Sequence, residues 1–198
     1  MQSANAVRID SHAVATLRYI RASMDAASFV AVPGSAGIAM GSVGLLAMVL
    51  SSAPGLREYW LAIWLASAAL GGGIGFALMT RPASLRGLLL SGTPLRRFAL
   101  GLFPALFGGA VITALHWSSG NLHAIPGTWL LLYGCALISA SVAATRTLAI
   151  MGGAFIGLGL LALLLPDSLQ ILALGVGFGG LHVLFGFLIG RTTREHQV

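Results

Sequence analysis

Residues 60–79 read WLAIWLASAALGGGIGFALM, twenty positions without a charge or a proline, closed by Arg81. A helix of that length rises about 30 Å at 1.5 Å per residue, the thickness of a bilayer's hydrocarbon core. The rest of the chain repeats this pattern. Of its 198 residues, 57% are hydrophobic and 8% charged. An ordinary soluble domain carries roughly 25% charge, so a soluble globular domain and a disordered chain are both excluded. The class that remains is a polytopic membrane protein.

Six apolar spans are legible: 33–51, 58–79, 98–117, 127–145, 148–165 and 170–190. The boundary between the fourth and fifth has neither Gly nor Pro. A continuous helix across it would be about 58 Å long, nearly two bilayers, so a turn is expected near Arg146. Ahead of the spans, Ala13, Leu17, Ile20, Met24 and Ala27 recur at helical spacing, with Arg18, Arg21 and Asp25 beside them. That pattern predicts an amphipathic helix on the membrane surface, with Arg21 and Asp25 paired at i,i+4. The expected organisation is a cytoplasmic N-terminal segment 1–32, a six-helix transmembrane domain 33–190 and a cytoplasmic tail 191–198. The expected fold class is an all-α polytopic helical bundle.

Charge fixes the orientation. Arg81, Arg86, Arg96 and Arg97 share one loop with no acid. Placing it inside puts Arg8, Arg18, Arg21, Arg146, Arg191 and Arg194 inside too, and leaves only Arg57 outside. Both termini are then cytoplasmic, and the first span directs insertion. The net charge of +6 follows from this topology and needs no nucleic acid. Trp60, Trp64, Trp117 and Trp129 fall near the opposite ends of their spans, as an interfacial belt would. The single cysteine, Cys135, excludes an internal disulfide.

Two patterns suggest how the spans associate. Ala31-Val32-Pro33-Gly34-Ser35 with Gly41 resembles Ala124-Ile125-Pro126-Gly127-Thr128 with Gly134. These segments open spans that run in opposite directions, so the reading is a 3+3 inverted repeat, a layout common in transporters. Gly37/Gly41, Gly153/Gly157 and Gly186/Gly190 are GxxxG pairs, expected at close helix contacts within the chain or in a homodimer.

Chemistry-bearing residues are few. Glu58 stands at the outer end of its span and no Asp, Glu or Arg lies deeper in any, which argues against carboxylate-coupled transport and against a voltage sensor. His182 is the one deep ionisable residue, about 18 Å from the outer end of its span at 1.5 Å per residue. Ser139 on the fourth span lies at similar depth, with Tyr133 and Ser141 on the same helix. The expected ligand or permeation seam is His182, Ser139, Ser141 and Tyr133, with a hydrogen bond between Ser139 and His182. A Ser–His intramembrane hydrolase is a distant reading, because the Gly-x-Ser-Gly motif of rhomboid proteases is replaced by Ser139-Ala140-Ser141. His116 and His123 lie near the outer face, too far from His182 to share a haem. Two such ligands are a weak metal signal. No cofactor, metal or catalytic residue is assigned.

Leu17-Arg18-Tyr19-Ile20-Arg21, Met24, Phe29, Val32-Pro33-Gly34, Gly37 and Gly41 resemble the opening of a bacterial membrane-protein family. Trp64-Leu65, Leu90-Ser91-Gly92, Pro126-Gly127 with Leu130 to Gly134, and Gly177 to His182 with Phe185-Gly186 extend the resemblance over nearly the whole chain. The family is an uncharacterised one of six-helix inner-membrane proteins. The resemblance implies six-helix topology and a bacterial inner-membrane location, and no activity. Ser35 departs from it, standing where a bulkier aromatic is expected. Two functional classes stay open. One is a small-solute or ion permeation unit built on the His182 seam. The other is a non-catalytic sensor or accessory protein in the bilayer. It would dock a cytoplasmic partner, or anionic lipid, through Arg18, Arg21, Arg86, Arg96 and Arg97.

Overall fold

The computed structural model describes residues 14, 16–20, 30, 32–85 and 93–195, and among them the only regular structure is helical. The helices are α1 (Gly34–Ser52), α2 (Trp60–Leu85), α3 (Thr93–Ser118), α4 (Ala124–Ser141), α5 (Arg146–Ala162), α6 (Asp167–Leu174) and α7 (His182–Glu195). A π-helical segment, Gly175–Leu181, joins α6 to α7 in one rod. Short turns separate α1 from α2, α3 from α4, α4 from α5 and α5 from α6. Gly55 (φ 82°) closes the α1–α2 turn and Gly120 (φ 73°) the α3–α4 turn, both in the left-handed region that side chains disfavour. The expected break near Arg146 is a four-residue turn over 142–145. The segment expected to be the tail continues α7 as far as Glu195.

Among the described residues, five helices are long and apolar enough to cross a membrane, not six: Gly34–Ser52, Arg57–Arg81, Leu95–Ser118, Ala124–Ser141 and Asp167–Thr192. The sixth candidate, α5, is apolar but has 17 residues. It is stopped by the 142–145 turn at one end and by Pro166 before α6 at the other. Of the N-terminal amphipathic helix, residues 16–20 are helical, with Leu17, Arg18, Tyr19 and Ile20 exposed. Arg21, Asp25 and Arg86 lie outside the described residues.

Glycine sets the packing. On α1, Gly34, Gly37, Gly41 and Gly44 face the π segment and α7. A Cβ on Gly41 would stand 2.7 Å from the Gly179 carbonyl oxygen, and one on Gly44 would stand 2.5 Å from that of Phe178. The backbones themselves are therefore in contact, which maximises dispersion where lipid removes the hydrophobic drive between helices. A second such contact joins α4 to α5, where Gly134 and Gly152 face one another's carbonyls. The GxxxG expectation thus divides. Gly37/Gly41 and Gly186 lie at an internal contact, whereas Gly153 and Gly157 face open space. The two repeat segments also use their glycines differently, since Gly41 meets the α6–α7 rod while Gly134 meets α5.

Replacing Gly41 by Leu is expected to destabilise the fold by at least the ~1–3 kcal/mol typical of overpacking, because backbone has no rotamer to yield. Gly153→Leu should cost under about 0.5 kcal/mol, as an open site does. Denaturant unfolding of both variants in mixed micelles measures the difference.

The arrangement leaves a gap. α2 packs on α1, α3 packs on α4, and the two consecutive helices form no packing interface with each other. α1 is held by the α6–α7 rod and α4 by α5. Space therefore remains between α2 and α3.

Candidate functional site

Four rings from four parts of the chain meet at the inner wall of that space. Tyr133 comes from α4, Phe155 from α5, Phe178 from the π segment and His182 from the first position of α7. Phe178 and His182 are one turn apart and stack, with centroids 6.1 Å apart and planes 19° apart. Phe155 meets His182 edge-on at 5.4 Å, and Tyr133 meets Phe155 edge-on at 4.9 Å. Trp64 of α2 extends the cluster to Phe178 at 6.2 Å.

His182 is 3% exposed. Its Nε2 is 2.8 Å from the Tyr133 hydroxyl. Its Nδ1 is buried with no hydrogen-bond partner among the described residues. A neutral imidazole carries one ring proton, so the tautomer sets whether Nε2 accepts from the tyrosine O–H or donates to its oxygen.

Beyond this pair the space is a cavity of about 500 Å³. It runs along α2 from Trp60 to Met79, about 29 Å at 1.5 Å per residue. Leu102 and Leu106 of α3 form the facing wall, and among the described residues no charged side chain lines it. Two lining tryptophans have satisfied N–H groups. Trp64 donates to Ser51 Oγ at 3.2 Å and Trp129 to Thr113 Oγ1 at 2.8 Å. The remaining polar lining comes from Ser67, Tyr133, His182 and the Trp60 indole. Lining residues Leu65, Gly72 and Phe76 are exposed, so the cavity is open along α2.

The expected seam is therefore half assembled. Tyr133 and His182 come together, but Ser139 does not reach His182. Six residues separate it from Tyr133, which turns it about 120° away around the helix at 100° per residue. It is exposed, beside the close contact of Gly101 with Ala140. Ser141 donates to the Ile138 carbonyl of its own helix at 2.6 Å. A Ser–His pair is thus not formed by Ser139. His123, one of the two weak metal candidates, pairs with Asp167 across the α3–α4 and α5–α6 turns. Of the docking arginines, Arg18, Arg96 and Arg97 are exposed, while Arg21 and Arg86 lie outside the described residues. Trp64 and Trp129 turn inward to hydroxyl partners instead of serving purely as belt residues. Sequence reasoning missed Phe155, Phe178 and Thr113. The Phe178–His182 spacing of four was the available signal for the stack.

No family model, no curated protein and no solved structure matches this chain.

Proposed function

We propose that this chain is a six-span protein of the bacterial inner membrane, with both termini cytoplasmic, that holds a long apolar molecule between α2 and α3. The observation that carries the reading is the cavity: as long as the membrane core is thick, lined by apolar side chains and open along α2. Ions are poor candidates for it, because a charge entering an uncharged apolar path gives up its hydration for nothing. A lipid-like tail loses little, since it passes from one apolar medium to another. The permeation reading is thereby narrowed to hydrophobic solutes, with lateral access from the bilayer.

The 17-residue α5 supplies the sixth crossing in this account. At about 26 Å it falls slightly short of a 30 Å core, a mismatch that local thinning absorbs at modest cost. Its tight turn after α4 supports a return path across the same layer. The test is mass spectrometry of the protein released gently from its membrane. One long-chain molecule per chain is expected to survive extensive washing. A chain that carries none, or the same random lipid mixture as any bundle, contradicts the reading.

A further inference from the structure

We propose that the ligand is an anionic membrane lipid, its tail in the α2–α3 cleft and its headgroup among Arg81, Arg96, Arg97, Arg146 and Arg191. The proposal rests on the tail-binding reading and adds the headgroup. At one end of the cavity the lining residues are Met79, Leu95, Phe98, Leu148 and Ile189. Each lies within two positions of an arginine: Arg81 on α2, Arg96 and Arg97 on α3, Arg146 on α5, Arg191 on α7. All five are exposed. One acidic residue stands at this end of the described residues, Glu195, four positions beyond Arg191 on α7. The opposite end has a different character, with Glu58 two positions from Trp60, His123 two from Ile125, and Asp167 paired to His123.

Topology alone accounts for arginines on one side of a membrane. None of the five lines the cavity itself; they stand on the helix ends that surround this end of it, where a headgroup outside the cleft would lie. Guanidinium groups bind phosphate and carboxylate oxygens in a planar fork, and long Arg stems reach back over apolar surface. Basic pockets between transmembrane helices on the cytoplasmic side are suited to anionic headgroups. The charge asymmetry also fixes the direction of the bound molecule. Its head lies at the arginine end and its tail runs toward Trp60.

The test loads the delipidated full-length protein with phosphatidylglycerol or phosphatidylcholine of identical chains and reads retention by native mass spectrometry. Phosphatidylglycerol is expected to be retained at least tenfold better, with the preference falling as salt rises. The triple variant R96Q/R97Q/R146Q should lose the preference, and R57Q at the far end should keep it. If the triple variant fails to fold, R97Q alone and the salt series on the unaltered protein decide. Equal retention of both lipids would overturn the headgroup proposal and leave the tail reading standing. Retention of neither would remove the tail reading itself. Competition by glycerol phosphate at the lipid's own concentration would show a site for a free anion and overturn the lipid proposal.

Discussion

Gly72→Trp should empty the cavity of its long-chain molecule while leaving the fold intact. Gly72 lines the cavity and is exposed, and a Cβ there would meet nothing within 4 Å. The backbone therefore accepts a side chain, and an indole turned into the cleft obstructs it. An aromatic side chain of about 200 Å² is ample to obstruct it. Shape decides the outcome, because the tail gains little from leaving one apolar medium for another. Occupancy should fall at least tenfold, about 1.4 kcal/mol. The melting temperature should move by no more than about 2 °C, the scale of an uncritical surface change in a chain of this size. Gly153→Trp, also in open space but away from the cavity, is the matched control and should retain the ligand. Equal retention in both variants would mean that the molecule seen by mass spectrometry sits elsewhere.

The second large effect concerns the buried pair. His182→Phe keeps a ring in the aromatic cluster but leaves the Tyr133 hydroxyl without its partner. Tyr133→Phe leaves Nε2 of His182 without its partner. Each single change should cost about 1–3 kcal/mol, the penalty for stranding a buried polar group. The double variant replaces both partners by apolar rings and should recover much of that loss, because a fully apolar cluster strands nothing. The expected coupling is about 1–3 kcal/mol in a double-mutant cycle read by denaturant unfolding. His182→Ala should be worse than His182→Phe, at about 3–5 kcal/mol, since it also opens a hole among Phe155, Phe178 and Tyr133. Strict additivity of the two single costs would show that the pair does not act as a unit.

The helix spans were legible because hydropathy reports length and interruption directly. The uncharged run before Arg81 and the impossible length of a helix through Arg146 both led to the observed boundaries within a few residues. Rotation about each helix was not legible. In a soluble helix the polar face marks the outside, but here lipid-facing and core-facing surfaces are equally apolar. That is why Tyr133 and Ser139 looked equivalent as partners of His182, although they point about 120° apart. It is also why Gly153/Gly157 read like Gly37/Gly41, although one pair faces open space and the other a helix backbone. The cavity escaped notice for a related reason. Leu, Phe, Met and Gly line it, and the same residues fill a closed core, so composition cannot mark where packing is missing. The arginines were visible in the sequence as topology. Their placement around one end of the cavity required the positions of α2, α3, α5 and α7 together.

The most direct measurement is the anomalous X-ray scattering of a crystal grown with an anionic lipid brominated along its tail. The expected result is bromine density between α2 and α3, on the line from Met79 to Trp60, with the headgroup at the Arg96 and Arg97 end. Bromine confined to the outer surface of the bundle, with α2 closed onto α3, would contradict the account.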